Sequence, residues 1–394
     1  MNILNDITKK YLKLNRKRTI VSIIGIVLSG AMISAVTTLA VSFQGFMLDV
    51  EESNNGSYES IIENSTPEII EQAEEQNNFK DIIPVSHIGM AENDFSDENF
   101  IRIMGVEKEN IDKVAGMALE GRMPENENEI VVSTSFFNEE TPYIGDKITL
   151  KIGKRLSDGY ELIGSPKEEN EEFEVEETRT FTICGIINRP YFETYYDYYN
   201  AAIILVDRSE ILNSEKIDLA LIDKNSKNIY EDSERLAESV NVSEEDIQYN
   251  NSVLMYKGVS LNSGFNAMLY SVCGILIVVI MIGSILVIYN GFAISVSERK
   301  KQIGMLISIG ATKKQIKKSV LFEGVILGVI GIPLGILCGV LGIGITLKIV
   351  SSLIAPLLTF TRKRRNRISY FIWGTFNSSY SNSLNNLYVS IASC

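Results

Sequence analysis

Long apolar windows alternate with highly charged segments along this chain of 394 residues. A helix rises about 1.5 Å per residue, so a window of some two dozen residues crosses the roughly 30 Å hydrocarbon core of a bilayer. Three windows of that length contain no charged residue: 19–48, 258–297 and 324–347. The pattern excludes a purely soluble enzyme and predicts three membrane spans, at residues 20–43, 266–290 and 320–350.

Charge is distributed as unevenly as hydropathy. Residues 44–265 hold 47 of the 50 acidic residues but only 18 of the 37 basic residues, a net charge of −29. Basic residues cluster instead in segments 1–19 and 291–319, next to the spans. Because cytoplasmic loops are enriched in Lys and Arg, we expect these two segments in the cytoplasm and the acidic segment outside the cell. The basic clusters then reflect membrane topology, and no nucleic-acid partner is predicted.

The first 19 residues predict an amphipathic helix on the inner leaflet. Apolar side chains recur there at helical spacing between lysines and arginines, as in the bilayer interface helices of other proteins. These side chains are Ile3, Leu4, Ile7, Tyr11 and Leu14. The apolar stretch that follows is too long for the h-region of a signal peptide, so we expect a retained anchor.

The acidic segment 44–265 predicts a mixed α+β extracytoplasmic domain. Its composition favours helices at 68–78 and 228–240. Apolar and β-branched residues predict strands at 129–133, 146–152, 173–177, 179–187 and 200–206. The glutamate-rich run 168–177 is too acidic for a packed core, which predicts an exposed hairpin tip or edge strand.

Nothing in the sequence predicts catalysis by this chain. Cys184 is the one cysteine of segment 44–265, so no disulfide forms within it. His87 is the only histidine, which leaves neither a histidine-rich metal site nor a Ser-His-Asp triad. No GxxxxGK[ST] phosphate loop occurs. We therefore predict no catalytic residues, no metal and no cofactor, and any ATP-derived energy must come from a partner.

The loop after the second span predicts a short helix. Ile303, Leu306 and Ile307 form an i, i+3, i+4 apolar stripe, preceded by the charged residues Glu298 and Arg299. We call residues 297–316 the basic hairpin.

A tight turn and a second helix follow. Gly310 suits the left-handed conformation that closes a helix. Thr312 and Gln315 have the spacing of a capping box, which opens a helix at Lys313. Because no helix-breaking signal separates Lys313 from the third span, one helix is predicted to run from the hairpin into the membrane. Such an element can receive a push from a partner.

The basic hairpin, with the sequence SERKKQIGMLISIGATKKQI and Glu323 following it, resembles the signature of the FtsX-like family of ABC transporter permeases. A second resemblance, to the MacB-like form with a large extracytoplasmic domain, rests on residues 121–133, 145–150 and 181–187. The resemblance covers residues 1 to about 360. It implies a permease that pairs with a separate ABC ATPase subunit, works as a dimer with a second permease subunit, and acts in export or mechanotransmission.

The same resemblance assigns residues to the coupling. The ATPase-coupling residues are Glu298, Arg299, Ile303, Gly304, Leu306, Ile307, Gly310, Thr312 and Gln315. Glu323 is the intramembrane candidate: it either pairs within the bundle or extends to the inner interface. Glycines at intervals of three or four residues in the third span favour close helix packing.

The partner outside the cell is left open as a peptide, a lipid or a protein. The aromatic segment 191–199 is either its binding surface or a cover for the domain's own sheet. A signalling role, in sensing antimicrobial peptides or controlling a wall hydrolase, is the alternative function within the family.

Residues 351–394 depart from the family pattern. A fourth span is expected there, but the tail is polar and basic. A frameshift near codon 361 would explain both features, and the chain would then be a truncated and non-functional permease fragment. This expectation can be checked in the other reading frames of the gene.

Overall fold

The computed structural model describes residues 9–10, 12–93, 100–136, 142–168, 170–260, 264–298, 300–308 and 310–358. The chain divides into two compact units. One unit comprises Met1–Phe46 and Gly264–Cys394, and the other comprises Met47–Ser263. We call the second unit the sheet domain.

Four helices carry the membrane part: α1 (Arg16–Asn55), α7 (Gly264–Glu298), α8 (Lys300–Ser308) and α9 (Lys313–Leu358). Within the part of the chain that the structure describes, three helical segments are long and apolar enough to cross a bilayer: Thr19–Asn55, Asn266–Asn290 and Lys313–Val350. The three predicted spans are confirmed. Helix α1 continues 12 residues beyond the predicted end of the first span at position 43, because charged side chains that leave the bilayer do not interrupt helical hydrogen bonds. Of the predicted N-terminal helix, residues 9–10 and 12–14 are helical, Asn15 is a turn, and residues 16–19 begin helix α1. Residues 1–8 and 11 lie outside the described residues.

Helices α1 and α9 pack closely through small residues. A Cβ added to Gly335 would lie 2.7 Å from the carbonyl oxygen of Val27 and 3.1 Å from the Cα of Gly30. The Ser34 hydroxyl donates a hydrogen bond to the carbonyl oxygen of Ile336 at 3.4 Å. The close packing predicted from the glycines is confirmed, since any larger side chain at Gly335 would separate the backbones.

The sheet domain contains an 11-stranded mixed sheet with short helices on both faces, as the predicted α+β class requires. The strands are β1 (Ser60–Ser65), β2 (Phe79–Glu92), β3 (Phe100–Val106), β4 (Glu120–Gly121), β5 (Glu129–Ser133), β6 (Lys147–Ser157), β7 (Tyr160–Glu161), β8 (Glu172–Ile187), β9 (Tyr199–Leu205), β10 (Ile217–Asp223) and β11 (Ile247–Tyr249). The helices are α2 (Ile69–Gln76), α3 (Ile111–Ala115), α4 (Arg208–Leu212), α5 (Ile229–Ser239) and α6 (Asn251–Lys257), with 3₁₀ turns at Thr134–Phe136, Ser226–Asn228 and Glu244–Asp246.

Strand β2 belongs to both halves of this sheet. Its first half pairs with β10. Strand β10 pairs in turn with β1, and β1 pairs with β11, so this half of the sheet is open and ends at β11. Its second half pairs with β3, and at Met90–Ala91 also with β6. Because β3, β9, β5, β8 and β6 are neighbours in that order, the contact between β6 and β2 closes them into a barrel.

Two apolar clusters cover opposite faces of the sheet. Along β1, Ile62 points to the cluster that includes helices α2 and α5, whereas Ile61 points to the cluster around helix α3 and Phe192. Successive strand residues face opposite sides, so one strand supplies both cores.

The predicted strands are present, with one correction. The segments 173–177 and 179–187 are one continuous strand, β8, because Thr178 pairs with Lys151 without interruption. Glu172, Glu174 and Glu176 are exposed on the outer part of β8, which forms the predicted acidic hairpin with β6. Such charges protect a strand edge from pairing with another chain.

Candidate functional site: the basic hairpin and the helix α1 joint

The basic hairpin has the predicted turn. Helix α8 ends at Ser308, and Gly310 has a φ of 97°. Gln315 accepts the Thr312 backbone N–H at 2.8 Å, and Thr312 Oγ1 accepts the Gln315 N–H at 3.3 Å. These reciprocal bonds are a capping box. They open helix α9, which continues from Lys313 through the third span without a break.

Helix α8 is accessible on more than one side. Ile307, on the predicted apolar stripe, is 51% exposed, and a Cβ at Gly304 would contact nothing within 4 Å. Met305 is 59% exposed but lies about 200° around the helix from Ile307, outside the i, i+3, i+4 stripe. The backbone is helical at Ile303 and Leu306 in α8 and at Glu298, the last residue of α7, but the structure does not describe these three side chains. Arg299 lies outside the described residues.

Glu323 faces protein and not the lipid interface. It is 5% exposed, about three helical turns beyond Lys313. Every fourth residue that follows on α9 is also buried: Leu327, Gly331, Gly335 and Gly339. We call these five residues the α9 stripe. Gly331, Gly335 and Gly339 lie against α1, so Glu323 begins the face of α9 that packs on the first span.

The far end of helix α1 joins the sheet domain through backbone contacts. The Met117 N–H donates to the Ser53 carbonyl oxygen at 2.7 Å, and the Ser57 and Tyr58 N–H groups donate to the Lys113 carbonyl oxygen at 2.8 and 3.2 Å. Gly56, with φ 90°, lies so close to helix α3 that an added Cβ would stand 2.7 Å from the Val114 carbonyl oxygen. We call this contact the α1 joint.

Sequence reasoning missed the α1 joint, although part of its signal is present. Asn54, Asn55 and Gly56 form a typical helix C-terminus. The partner, helix α3 with Gly116 after it, is some 60 residues away along the chain, and no local pattern pairs the two.

A buried carboxylate organises one end of the sheet. Asp218 accepts hydrogen bonds from the Asn64 N–H at 3.0 Å and the Tyr191 hydroxyl at 2.7 Å, and lies 2.8 Å from His87 Nε2. Burial alone would raise the pKa of Asp218, but the hydrogen bond and charge of His87 with the Arg102 charge lower it overall. Burial and Asp218 raise the pKa of Tyr191 well above its usual value. This fully bonded group stabilises the sheet, and His87 has a structural role in it.

The aromatic segment 191–199 divides into anchors and an exposed tip. Phe192 and Tyr199 are buried, and the Glu193 carboxylate accepts the Ala201 N–H at 2.8 Å. Tyr195 and Tyr196 are 85% and 90% exposed. The base of the segment covers the sheet, as one of the two alternatives predicted. The tip presents exposed tyrosine rings, and its use as a binding surface stays a prediction.

Cys184 has the environment of a structural thiol. Cys184 is buried and donates a hydrogen bond to the Ile130 carbonyl oxygen, and burial raises the pKa of its thiol to about 12. Among the described residues, no group of three or more His, Cys, Asp or Glu side chains is placed to hold a metal ion.

Comparison with solved structures finds several matching chains, and two of them show how low the similarity is. The extracellular domain of the noncanonic ABC-type transporter YknZ from Gram-positive bacteria is 10% identical, with a TM-score of 0.28 over 49% of this chain and 99% of that chain. A domain assigned to a permease protein from Porphyromonas gingivalis is 12% identical, with a TM-score of 0.25 over 49% and 77%. At these TM-scores neither carries weight for fold or function.

No curated protein matches the chain. Residues 274–376 match the family described as FtsX-like permease C-terminal, a region that contains the basic hairpin, the third span and the segment 359–376 beyond the described residues. The predicted resemblance to the FtsX-like family of ABC transporter permeases is therefore confirmed over residues 274–376, about a quarter of the chain, which are similar to the family's C-terminal region.

Proposed function

We propose that this chain is a permease subunit that transmits force from an ABC ATPase at the basic hairpin to the sheet domain, in export or mechanotransmission. One observation carries the proposal. Helix α9 is continuous from the hairpin into the membrane, its buried stripe packs on α1, and α1 continues to the α1 joint. A displacement of the hairpin thus has a route of packed helices to the sheet domain.

Both ends of that route are stiff. The capping box fixes the start of α9, since its two hydrogen bonds satisfy backbone and side-chain groups that would otherwise be free. The α1 joint fixes the end of α1 by direct backbone bonds, which leave no flexible side chain between the helix and the domain. Small residues along the α9 stripe let the helix backbones touch, so a shift of one helix moves the other.

The ATPase is proposed to bind the apolar stripe of helix α8 at Ile307. An apolar side chain that is half exposed beside lysines suits a groove on a partner. In this arrangement the N-terminus and the hairpin are cytoplasmic, the sheet domain is outside the cell, and a second permease subunit completes a dimer. The other predicted coupling residues, among them Glu298, Arg299, Ile303 and Leu306, are proposed to contribute to the same contact.

The test is affinity purification of the tagged chain from its native membranes in mild detergent. We expect an ABC ATPase to co-purify with the wild type and to be lost with Ile307→Asp. Lys314→Asn is the matched control, because Lys314 is exposed on the same hairpin and the substitution changes the charge by the same single unit. Equal recovery of the ATPase with Ile307→Asp would remove the hairpin from the proposal.

A further inference from the structure

We infer that Lys257 is a positioning residue that ties the last turn of helix α1 to helix α6, so that the chain enters and leaves the sheet domain through one connected element. The inference rests on the proposed force transmission and deepens it. Lys257 is the final residue of α6, on the path that leads to the second span.

The Lys257 ammonium bridges two carboxylates from different elements. Its Nζ donates to Glu59 Oε1 at 2.8 Å and lies 3.8 Å from Glu52 Oε1. Glu52 belongs to the last turn of α1, and Glu59 directly precedes strand β1. One cation therefore connects α1, β1 and α6.

Glu59 is the fixed member of this group. Its side chain is fully buried, its Oε2 accepts the Asp223 N–H at 2.9 Å, and the Ser226 hydroxyl donates to its Oε1. Its backbone also bonds to Leu221 and Asn250. A buried carboxylate is costly without a nearby cation. Among the described residues, Lys257 is the cation that forms an ion pair with Glu59.

Glu52 is the more exposed member of the group. It is partly exposed, and its oxygen is farther from Lys257 than that of Glu59. It lies one residue before Ser53, whose carbonyl oxygen forms part of the α1 joint. A movement of α1 thus reaches Lys257 directly through Glu52.

The position of Lys257 matters because the chain enters the sheet domain differently from the way it leaves it. Helix α1 enters the domain without interruption, whereas α6 ends at Gly258, with φ 79°, and α7 begins as a separate helix at Gly264. Val253 and Leu254 anchor α6 in the core, but they do not join it to α1 by charge. The ammonium of Lys257 supplies that link at the last position before the chain leaves the domain.

The test is amide hydrogen exchange of the full chain in lipid nanodiscs, read at the joint amides of Ser57, Tyr58 and Met117 and across Asn251–Lys257. Lys257→Met should speed exchange at both places by about tenfold, because it leaves the buried Glu59 charge without its cation. Lys227→Met is the control, since Lys227 is an exposed lysine of the same domain. Exchange as slow as in the wild type would overturn the inference.

Two further variants keep the test decisive if Lys257→Met fails to fold. Glu52→Gln removes only the ion pair between Lys257 and helix α1 and leaves the pair between Lys257 and the buried Glu59 intact. Amide exchange should therefore rise about two- to threefold at the joint amides alone. Lys257→Arg should restore wild-type exchange, since it keeps the charge. No change with Glu52→Gln would refute the tie between α1 and α6. These measurements need no ATPase, so their failure leaves the hairpin proposal standing, and loss of ATPase binding is measured separately through Ile307.

Discussion

The α1 joint depends on the absence of a side chain at Gly56, which makes Gly56→Ala a direct probe of it. The new Cβ would stand 2.7 Å from the Val114 carbonyl oxygen and 2.8 Å from its carbon, both backbone atoms that cannot rotate away. The residue also has φ 90°, where an L side chain is strained. Either helix α3 or the end of helix α1 must therefore shift.

The expected cost has two parts. Left-handed strain costs about 1–2 kcal/mol, and overpacking against backbone costs about 1–3 kcal/mol. Against the roughly 5–15 kcal/mol that stabilises a domain, this loss is large. For a domain of this size, about 1 kcal/mol lowers the unfolding temperature by roughly 2–4 °C, so Gly56→Ala should lower it by about 10 °C.

Gly159→Ala separates the two parts. Gly159 has φ 82°, close to that of Gly56, but a Cβ there would meet nothing within 4 Å. Gly159→Ala should incur only the left-handed strain, which lowers the unfolding temperature by about 4 °C. The assay is thermal unfolding of the purified chain followed by tyrosine fluorescence. Equal shifts for the two variants would show that helix α3 does not press on Gly56, and the joint would not be rigid.

Three other perturbations test separate parts of the structure. Burial and the Asp232 carboxyl raise the pKa of Asp223 to about 6. The stabilisation from its protonated form is therefore complete below the unfolded pKa near 4 and is lost as pH rises through 6. Asp223→Asn should flatten the fall in unfolding temperature between about pH 4 and 6. Gly335→Leu should lower the thermal stability of the spans in detergent, whereas Gly342→Leu, with open space around it, should not. Asp218→Ala should cost about 1–3 kcal/mol in urea unfolding, since it strands the buried Tyr191 hydroxyl; an unchanged midpoint would contradict its organising role.

Local patterns predicted the elements that depend on neighbouring residues. The spans follow from uncharged windows, and the hairpin turn follows from Gly310 and from the three-residue spacing of Thr312 and Gln315. The glycines of the third span were predicted to allow close approach, and Gly335 does so against Val27. In each case the pattern that carries the prediction is continuous in the sequence, although Val27, the residue that Gly335 approaches, lies far away along the chain.

The sheet was predicted less completely, because its pairings are distant. Strand β2 has a mixed pattern that predicts no simple strand, since its two halves serve different faces and different partners. The α1 joint and the Lys257 group join residues that are 60 to about 200 positions apart. Such contacts form only once the sheet has brought distant segments together. No local periodicity in a single sequence indicates which of these segments meet.

The orientation of the two ends is the central claim, and cysteine accessibility on intact cells tests it most directly. In a background with Cys184, Cys273, Cys338 and Cys394 replaced by Ala, single cysteines are introduced as Tyr195→Cys and Met305→Cys, both at exposed positions. A membrane-impermeant maleimide should label Tyr195→Cys in intact cells and Met305→Cys only after permeabilisation. Labelling of Met305→Cys in intact cells, with Tyr195→Cys protected, would contradict the account.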